Sequence, residues 1–217
     1  MSKKGVLLVN LGTPDSPSTA DVRKYLREFL MDPLVIDINP ISRTLLVKGI
    51  IVPTRGPKSA KLYQKIWDET TGSPLLYYSK LQHQLLQERL GDEYQVELGM
   101  RYQSPSISSA LERLKQALIY DITVIPLFPQ YASASTGSVY DKVMELLQYW
   151  PTKPTIKFIN SFHDDELMIE TFAYNARKHK PETFDHILFS FHGLPQRQLV
   201  KSDHTHNHCL KSADCCQ

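Results

Sequence analysis

The feature that most constrains this chain is an alternation. Short apolar runs rich in Val, Leu and Ile trade places with longer segments whose apolar residues recur every three or four positions. "GVLLVN" (5–10), closed by "LGTPDSP", opens the series and reads as a buried strand followed by a loop. A helix is expected from about Thr19. Val22, Tyr25, Leu26, Phe29 and Leu30 share one face, Ser18 with Asp21 resembles a capping box, and Asp32-Pro33 ends the helix. Residues 33–53 are apolar and proline-containing without a clean period, "GPKSAKLYQKIW" (56–67) looks helical, and "TTGSP" (70–74) is a loop.

From there the pattern is regular. A helix over 76–90 stops at Gly91, a natural left-handed cap. "YQVELGM" (94–100) alternates as a strand does. A helix over 106–119, with Ile107, Ala110, Leu111, Leu114 and Leu118 on one face, leads to the strand "ITVIPLF" (122–128). A helix over 138–149 leads to the strand "TIKFI" (155–159), and a helix over 165–179 to a last strand, "HILFSF" (186–191). Strands alternating with helices predict an α/β fold with a doubly wound parallel sheet. "GTPDSP" is not G-x-G-x-x-G and no G-x-x-x-x-G-K is present, so the usual nucleotide loops are absent from the sequence.

Composition narrows the function. With 217 residues, 41% hydrophobic and 22% charged, the chain suits one domain, or one domain plus a piece of another. A net charge of +2 makes no electrostatic case for nucleic acid. No apolar stretch approaches the roughly 20 residues needed to span a bilayer. The first apolar run lacks a small-residue cleavage site, so it reads as a strand rather than a signal peptide, and the expected compartment is the cytoplasm. The three cysteines, Cys209, Cys215 and Cys216, all lie at the end, which points to metal chemistry rather than a disulfide framework. "KSADCCQ" resembles no helix end, strand end or tail, and the chain reads as cut short.

In an open α/β sheet, ligands bind beyond the carboxyl ends of the strands. The residues just past the predicted strands are, in chain order, Asn10 to Pro14; Arg101 and Tyr102; Pro129 to Tyr131 and "ASASTGS"; Asn160 to His163; and His192. One rim therefore gathers an imidazole, an arginine, tyrosines and hydroxyls. Neutral imidazole accepts a proton or binds a divalent metal near pH 7. On spacing alone, though, a single histidine at a strand end is more often a satisfied polar residue. Arg101 taken singly reads as a surface or capping charge, and "SASTGS" as a turn and helix cap, or as an anion site at a helix start.

Five segments together change the balance. "VNLGTPDSP" (9–17), "GSPL" (72–75), "MRYQSPSI" (100–107), "PLFPQYASASTGS" (126–138) and "FSFHGLPQR" (189–197) resemble, in order and over essentially the whole chain, the ferrochelatase family. The resemblance implies Rossmann-like halves with a porphyrin between them, an N-terminal domain over 1–161 and the beginning of a second over 162–217. It implies insertion of ferrous iron, as substrate, into protoporphyrin IX. His192 matches the active-site histidine that accepts a pyrrole proton, ligates the metal, or both. Arg101 and Tyr102 match a pair near the macrocycle, and Tyr63 a pocket tyrosine. Tyr131, Ser133, Ser135 and Thr136, with Gly137, match the loop beside the porphyrin. Leu11 matches a position on the far face of the ring. The segment around 33–55 matches a lip that touches a membrane surface. The family's catalytic glutamate does not occur within this sequence, so the expectation is that the chain alone is inactive.

"SDHTHNHCLKSADCCQ" packs three histidines and three cysteines into 16 residues. By the same resemblance, Cys209, Cys215 and Cys216 match three of four ligands of a [2Fe–2S] cluster that some bacterial members carry. The fourth would lie beyond Gln217, so the cluster is an expectation for a longer protein, and a tail with adventitious metal affinity is the expectation here. Structural zinc is a rival for the same residues. The rival functions are a cobalt or nickel chelatase of the same fold and a non-catalytic metal- or haem-binding module.

Overall fold

The computed structural model describes residues 3–215. They divide into two compact units, Met1–His163 and Asp164–Gln217.

The first unit is built on a four-stranded sheet, all parallel, in the order β2-β1-β3-β4. Its strands are β1 (Lys4–Gly12), β2 (Tyr94–Tyr102), β3 (Asp121–Pro126) and β4 (Thr155–Phe158). Because side chains alternate across a strand, β1 feeds two cores. Leu7 and Val9 pack with Val124 under α5 (Ile107–Gln116) and α6 (Ser138–Leu147), which add Ile107, Leu111, Leu114, Val139, Val143 and Leu147. Val6 and Leu8 face the other way, with Val96, Leu98 and Met100, against α4 (Pro74–Leu90). A strand covered on both faces must be apolar throughout, which is why "GVLLV" shows no polar alternation.

α1 (Thr19–Met31) begins at Ser18, whose Oγ accepts from the Asp21 amide at 3.1 Å. The Asp21 carboxylate takes the hydroxyls of Ser16 and Ser18, which hold its pKa below the usual value. The segment without a clean period is helical in three joined pieces: α2 (Pro40–Thr44), a widened π-type stretch (Leu45–Ile51), and α3 (Val52–Ile66). The wide turn explains the missing period. It shifts the apolar residues off the 3.6-residue spacing that marks an ordinary helix.

Two sequence expectations fail, for physical reasons. The helix predicted to reach 119 ends at Gln116; Leu118 adopts φ 57° and is 75% exposed, while Ile119 takes the core position instead. The reversal after Ala117 swings Ile119 inward, where its amide donates to the Leu114 carbonyl at 3.0 Å. The last predicted strand, 186–191, does not form. Leu188, Phe189 and Phe191 are 92%, 82% and 76% exposed. Apolar content makes a strand only when a neighbour completes its ladder, and among the described residues the second unit contains no strand.

That second unit carries α7 (Glu166–Arg177), capped by Asp165 through the amides of Leu167 and Met168, and α8 (Gln196–Ser202). Beyond α8 the Asp203 carboxylate receives four hydrogen bonds: the Thr205 hydroxyl at 2.7 Å and the amides of Thr205, His208 and Cys209 at 2.8–3.0 Å. These donors, the Thr205 hydroxyl foremost, hold its pKa well below the ordinary carboxylate range.

Candidate active site

The carboxyl end of β2 is held by one buried polar junction. β1 and β2 run in register to Gly12 opposite Tyr102. Gly12 has φ 112°, and a Cβ there would lie 2.0 Å from the Tyr102 carbonyl oxygen, so only glycine lets the two strands approach. This places Arg101 and Tyr102 at the rim. Arg101 donates from Nη2 to Asp32 Oδ2 at 2.6 Å, and from Nε to the Ser138 hydroxyl and carbonyl at 2.6 and 3.0 Å. The Tyr102 hydroxyl donates to the same Asp32 oxygen at 2.8 Å, as does Ser138 Oγ at 2.5 Å. Removing one partner of a buried charge pair costs about 3–5 kcal/mol, because the other is left uncompensated.

Behind the junction lies an aromatic stack. Tyr102 meets Phe29 and Tyr25 edge-on at 5.2 and 6.5 Å, and Tyr25 meets Tyr63 of α3 edge-on at 6.2 Å. Burial pushes the phenols of Tyr25 and Tyr102 far above their ordinary value, and Tyr63 less so. A raised folded-state pKa means stability is complete below the unfolded pKa of about 10 and falls as pH rises above it. Each such tyrosine lets the unfolded chain lose a proton that the folded chain keeps, a slope of about 1.4 kcal/mol per pH unit. Tyr25→Phe is expected to reduce the alkaline loss of stability by about that slope above pH 10, read from urea unfolding at stepped pH. An unchanged slope would show that Tyr25 ionises freely in the fold.

The hydroxyl-rich loop forms a π-type turn, Ser133–Gly137, that runs directly into α6. Tyr131, Ser133 and Gly137, together with Leu34, Tyr140, Asp141 and Asn160, line a groove of about 480 Å³. Tyr131 is 52% exposed at its mouth. Ser133 and Ser135 are partly exposed, and Ser135 Oγ donates to the Ala132 carbonyl at 3.3 Å. Thr136 is fully buried, so it underlies the turn. Leu11 is half-buried at the end of β1, beside Asn10, whose side-chain amide donates to Ser79 Oγ at 3.0 Å. Tyr102 has no exposed surface, so its effect on any ligand runs through Asp32.

The structure thus brings Arg101 and Tyr102 together, groups Tyr131 and Ser133 on one groove, and sets Tyr63 against Tyr25. His192 is exposed in the second unit, in an irregular stretch before α8 rather than at a strand end. Cys209 and Cys215 lie there, both partly buried, Cys215 Sγ accepting from the Leu210 amide, and Cys216 lies outside the described residues. Among the described residues no three His, Cys, Asp or Glu side chains form a group able to hold a metal. Burial, with the nearby Asp203 and Cys215, pushes the Cys209 thiol up. Of the expected ligands of an iron–sulfur cluster, which takes four, Cys209 and Cys215 are the two among the described residues.

Asp32, Ser138 and Tyr25 escape a sequence reading of the site. Asp32 has the marks of a helix end, standing before Pro33, and the partners of its Oδ2 lie 69 to 106 positions away. Spacing rules see three or four positions along a helix and two along a strand, not a pairing set by tertiary folding.

A parallel α/β sheet with its polar residues gathered at the carboxyl edge defines an open Rossmann-like protein of the kind that binds a ligand beyond its strand ends. The particular family follows from comparison: a ferrochelatase family model matches residues 3–217, and the chain belongs to that family. It is 46% identical over 200 residues to a ferrochelatase of Legionella pneumophila (strain Corby), covering 92% of this chain and 59% of that protein. A ferrochelatase of Actinobacillus pleuropneumoniae serotype 5b (strain L20) is 45% identical over 215 residues, covering 98% of this chain and 66% of that protein. One of Coxiella burnetii (strain RSA 493 / Nine Mile phase I) is 44% identical over 214 residues, covering 99% and 59%. The chain therefore spans about six tenths of the length of these relatives.

Proposed function

We propose that this chain serves the insertion of ferrous iron into protoporphyrin IX, as the N-terminal domain and the beginning of the second domain of a ferrochelatase. The observation that carries the reading is the family match over residues 3–217. The chemistry agrees with the residues. A free-base porphyrin must lose two pyrrole protons as the metal enters, and a planar ring holds its nitrogen lone pairs inward. A pocket that grips the periphery and bends the ring exposes them, at a cost of about 1–5 kcal/mol taken from peripheral binding. Leu11, Tyr63 and Tyr131 supply apolar and aromatic walls, and Ser133 and Ser135 supply hydroxyls for the ring's polar edge. His192 takes a pyrrole proton, meets the incoming iron, or both.

The compartment that goes with this reading is the cytoplasm. No helix among the described residues is long and apolar enough to cross a membrane. Ile41, Leu45 and Ile50 are exposed on the helical lip beside Lys48, a pattern that suits peripheral contact with an anionic lipid surface. A [2Fe–2S] cluster, in a longer form, would draw a further thiolate from residues outside this sequence.

The test is to mix ferrous iron or zinc with protoporphyrin under anaerobic conditions and follow the Soret band. The chain alone is expected to bind the porphyrin without turnover, and a protein extended to the relatives' length to convert it to the metalated form. Binding without conversion by the extended protein would instead make this a binding module, and conversion of cobalt or nickel alone would make it another chelatase.

A further inference from the structure

We propose that Asp32 is a positioning residue that sets the width of the groove, and that Arg101 acts through it rather than by holding a ligand carboxylate. The proposal rests on the reading of a porphyrin as the ligand. The Asp32 side chain is 3% exposed and joins four segments. Its Oδ1 accepts from the Leu34 amide at 2.8 Å, at the start of the lip. Its Oδ2 accepts from Arg101 and Tyr102, at the end of β2, and from Ser138, at the start of α6. Leu34 forms one wall of the groove, and Ser133 and Gly137 another. The two oxygens of one carboxylate therefore fix both walls.

Arg101 has little left to offer a ligand. Its Nε–Nη2 edge, one of the two that can grip a carboxylate in bidentate fashion, is taken by Ser138 and Asp32. Its charge is matched by Asp32 at 2.6 Å, and its side chain is 15% exposed. A ligand anion would have to compete with a carboxylate already in place.

The experiment uses this chain as wild type, Asp32→Asn, Arg101→Gln and the double variant, each first shown to be folded by urea titration. Binding of protoporphyrin diacid and of its dimethyl ester is measured by fluorescence, and backbone hydrogen exchange is followed over residues 132–139 and over β1. Either single variant is expected to weaken both porphyrins by about tenfold, with the diester-to-diacid ratio unchanged, and the double variant to regain most of the loss because no buried charge stays unpaired. Exchange over 132–139 is expected to quicken about tenfold in Asp32→Asn while β1 stays protected, a local effect that general destabilisation would not give. A tenfold rise in the ratio of diester to diacid affinity in Arg101→Gln alone, or unaltered exchange over 132–139 in Asp32→Asn, overturns the proposal. If the wild-type chain binds neither porphyrin, the ligand reading fails, and the exchange result still decides the role of Asp32.

Discussion

His192→Ala is expected to slow metal insertion by about a hundred- to ten-thousand-fold, the range a positioned acid–base group contributes, with porphyrin affinity changed less than about threefold. The split comes from what the side chain could do. On the proposed reading the walls that grip a ring belong to other residues, Leu11, Tyr63 and Tyr131 among them, so deleting an imidazole removes little apolar contact. Proton removal has no such redundancy, because a pyrrole nitrogen gives up its hydrogen only to a base within hydrogen-bond reach. The measurement is the rate of zinc insertion, from loss of free-porphyrin fluorescence, beside a binding titration of the same variant, in a protein of the relatives' length. Turnover near the wild-type rate would refute the role of His192. Parallel loss of binding and rate would make it a wall of the pocket instead.

Gly12→Ala is the change expected to damage the fold most. At φ 112° an L side chain is strained, and its Cβ would sit 2.0 Å from the Tyr102 carbonyl oxygen, a backbone atom that cannot swing aside. β1 and β2 must part at their carboxyl ends, and the pair that parts carries Arg101 and Tyr102. A loss of about 3 kcal/mol or more is expected from urea unfolding. Gly91→Ala is the control. Gly91 also has positive φ, 67°, with ψ −160°, a region that all but excludes residues with side chains, but nothing lies within 4 Å of its Cβ position, so backbone strain alone, about 1–3 kcal/mol and less than at Gly12, is expected. Equal losses at the two positions would mean that backbone strain, not the close approach of the strands, is what Gly12 relieves.

The contrast between these glycines also shows how far sequence carries here. Gly91 is legible because it ends a periodic run, a local signal. Gly12 matters through Tyr102, 90 positions on, and nothing near "NLGTP" announces that partner. The same division runs through the fold. α1 and α6 come from short-range period, because each buries a regular face, and the strands of the first unit come from short apolar runs. The helical lip hid behind its wide turn, and 186–191 looked like a strand because composition was read without a partner strand. At the rim, Arg101 and Tyr102 were legible from the end of a strand, whereas Asp32, which holds them, was visible only as a helix terminus, and the strand expected to carry His192 did not form. Buried ion pairs across distant segments leave no period to read.

The order of the strands bears on how the chain is made. β1 precedes β2 and β3 in the sequence, yet it lies between them and pairs with both. Its second neighbour begins at Asp121, so more than half of this sequence must emerge from the ribosome before β1 is enclosed on both edges. Until then "GVLLVN" is an apolar ribbon with an open flank, the kind of template that recruits strands from other nascent chains. A pause in translation between Tyr102 and Asp121 would prolong that exposure.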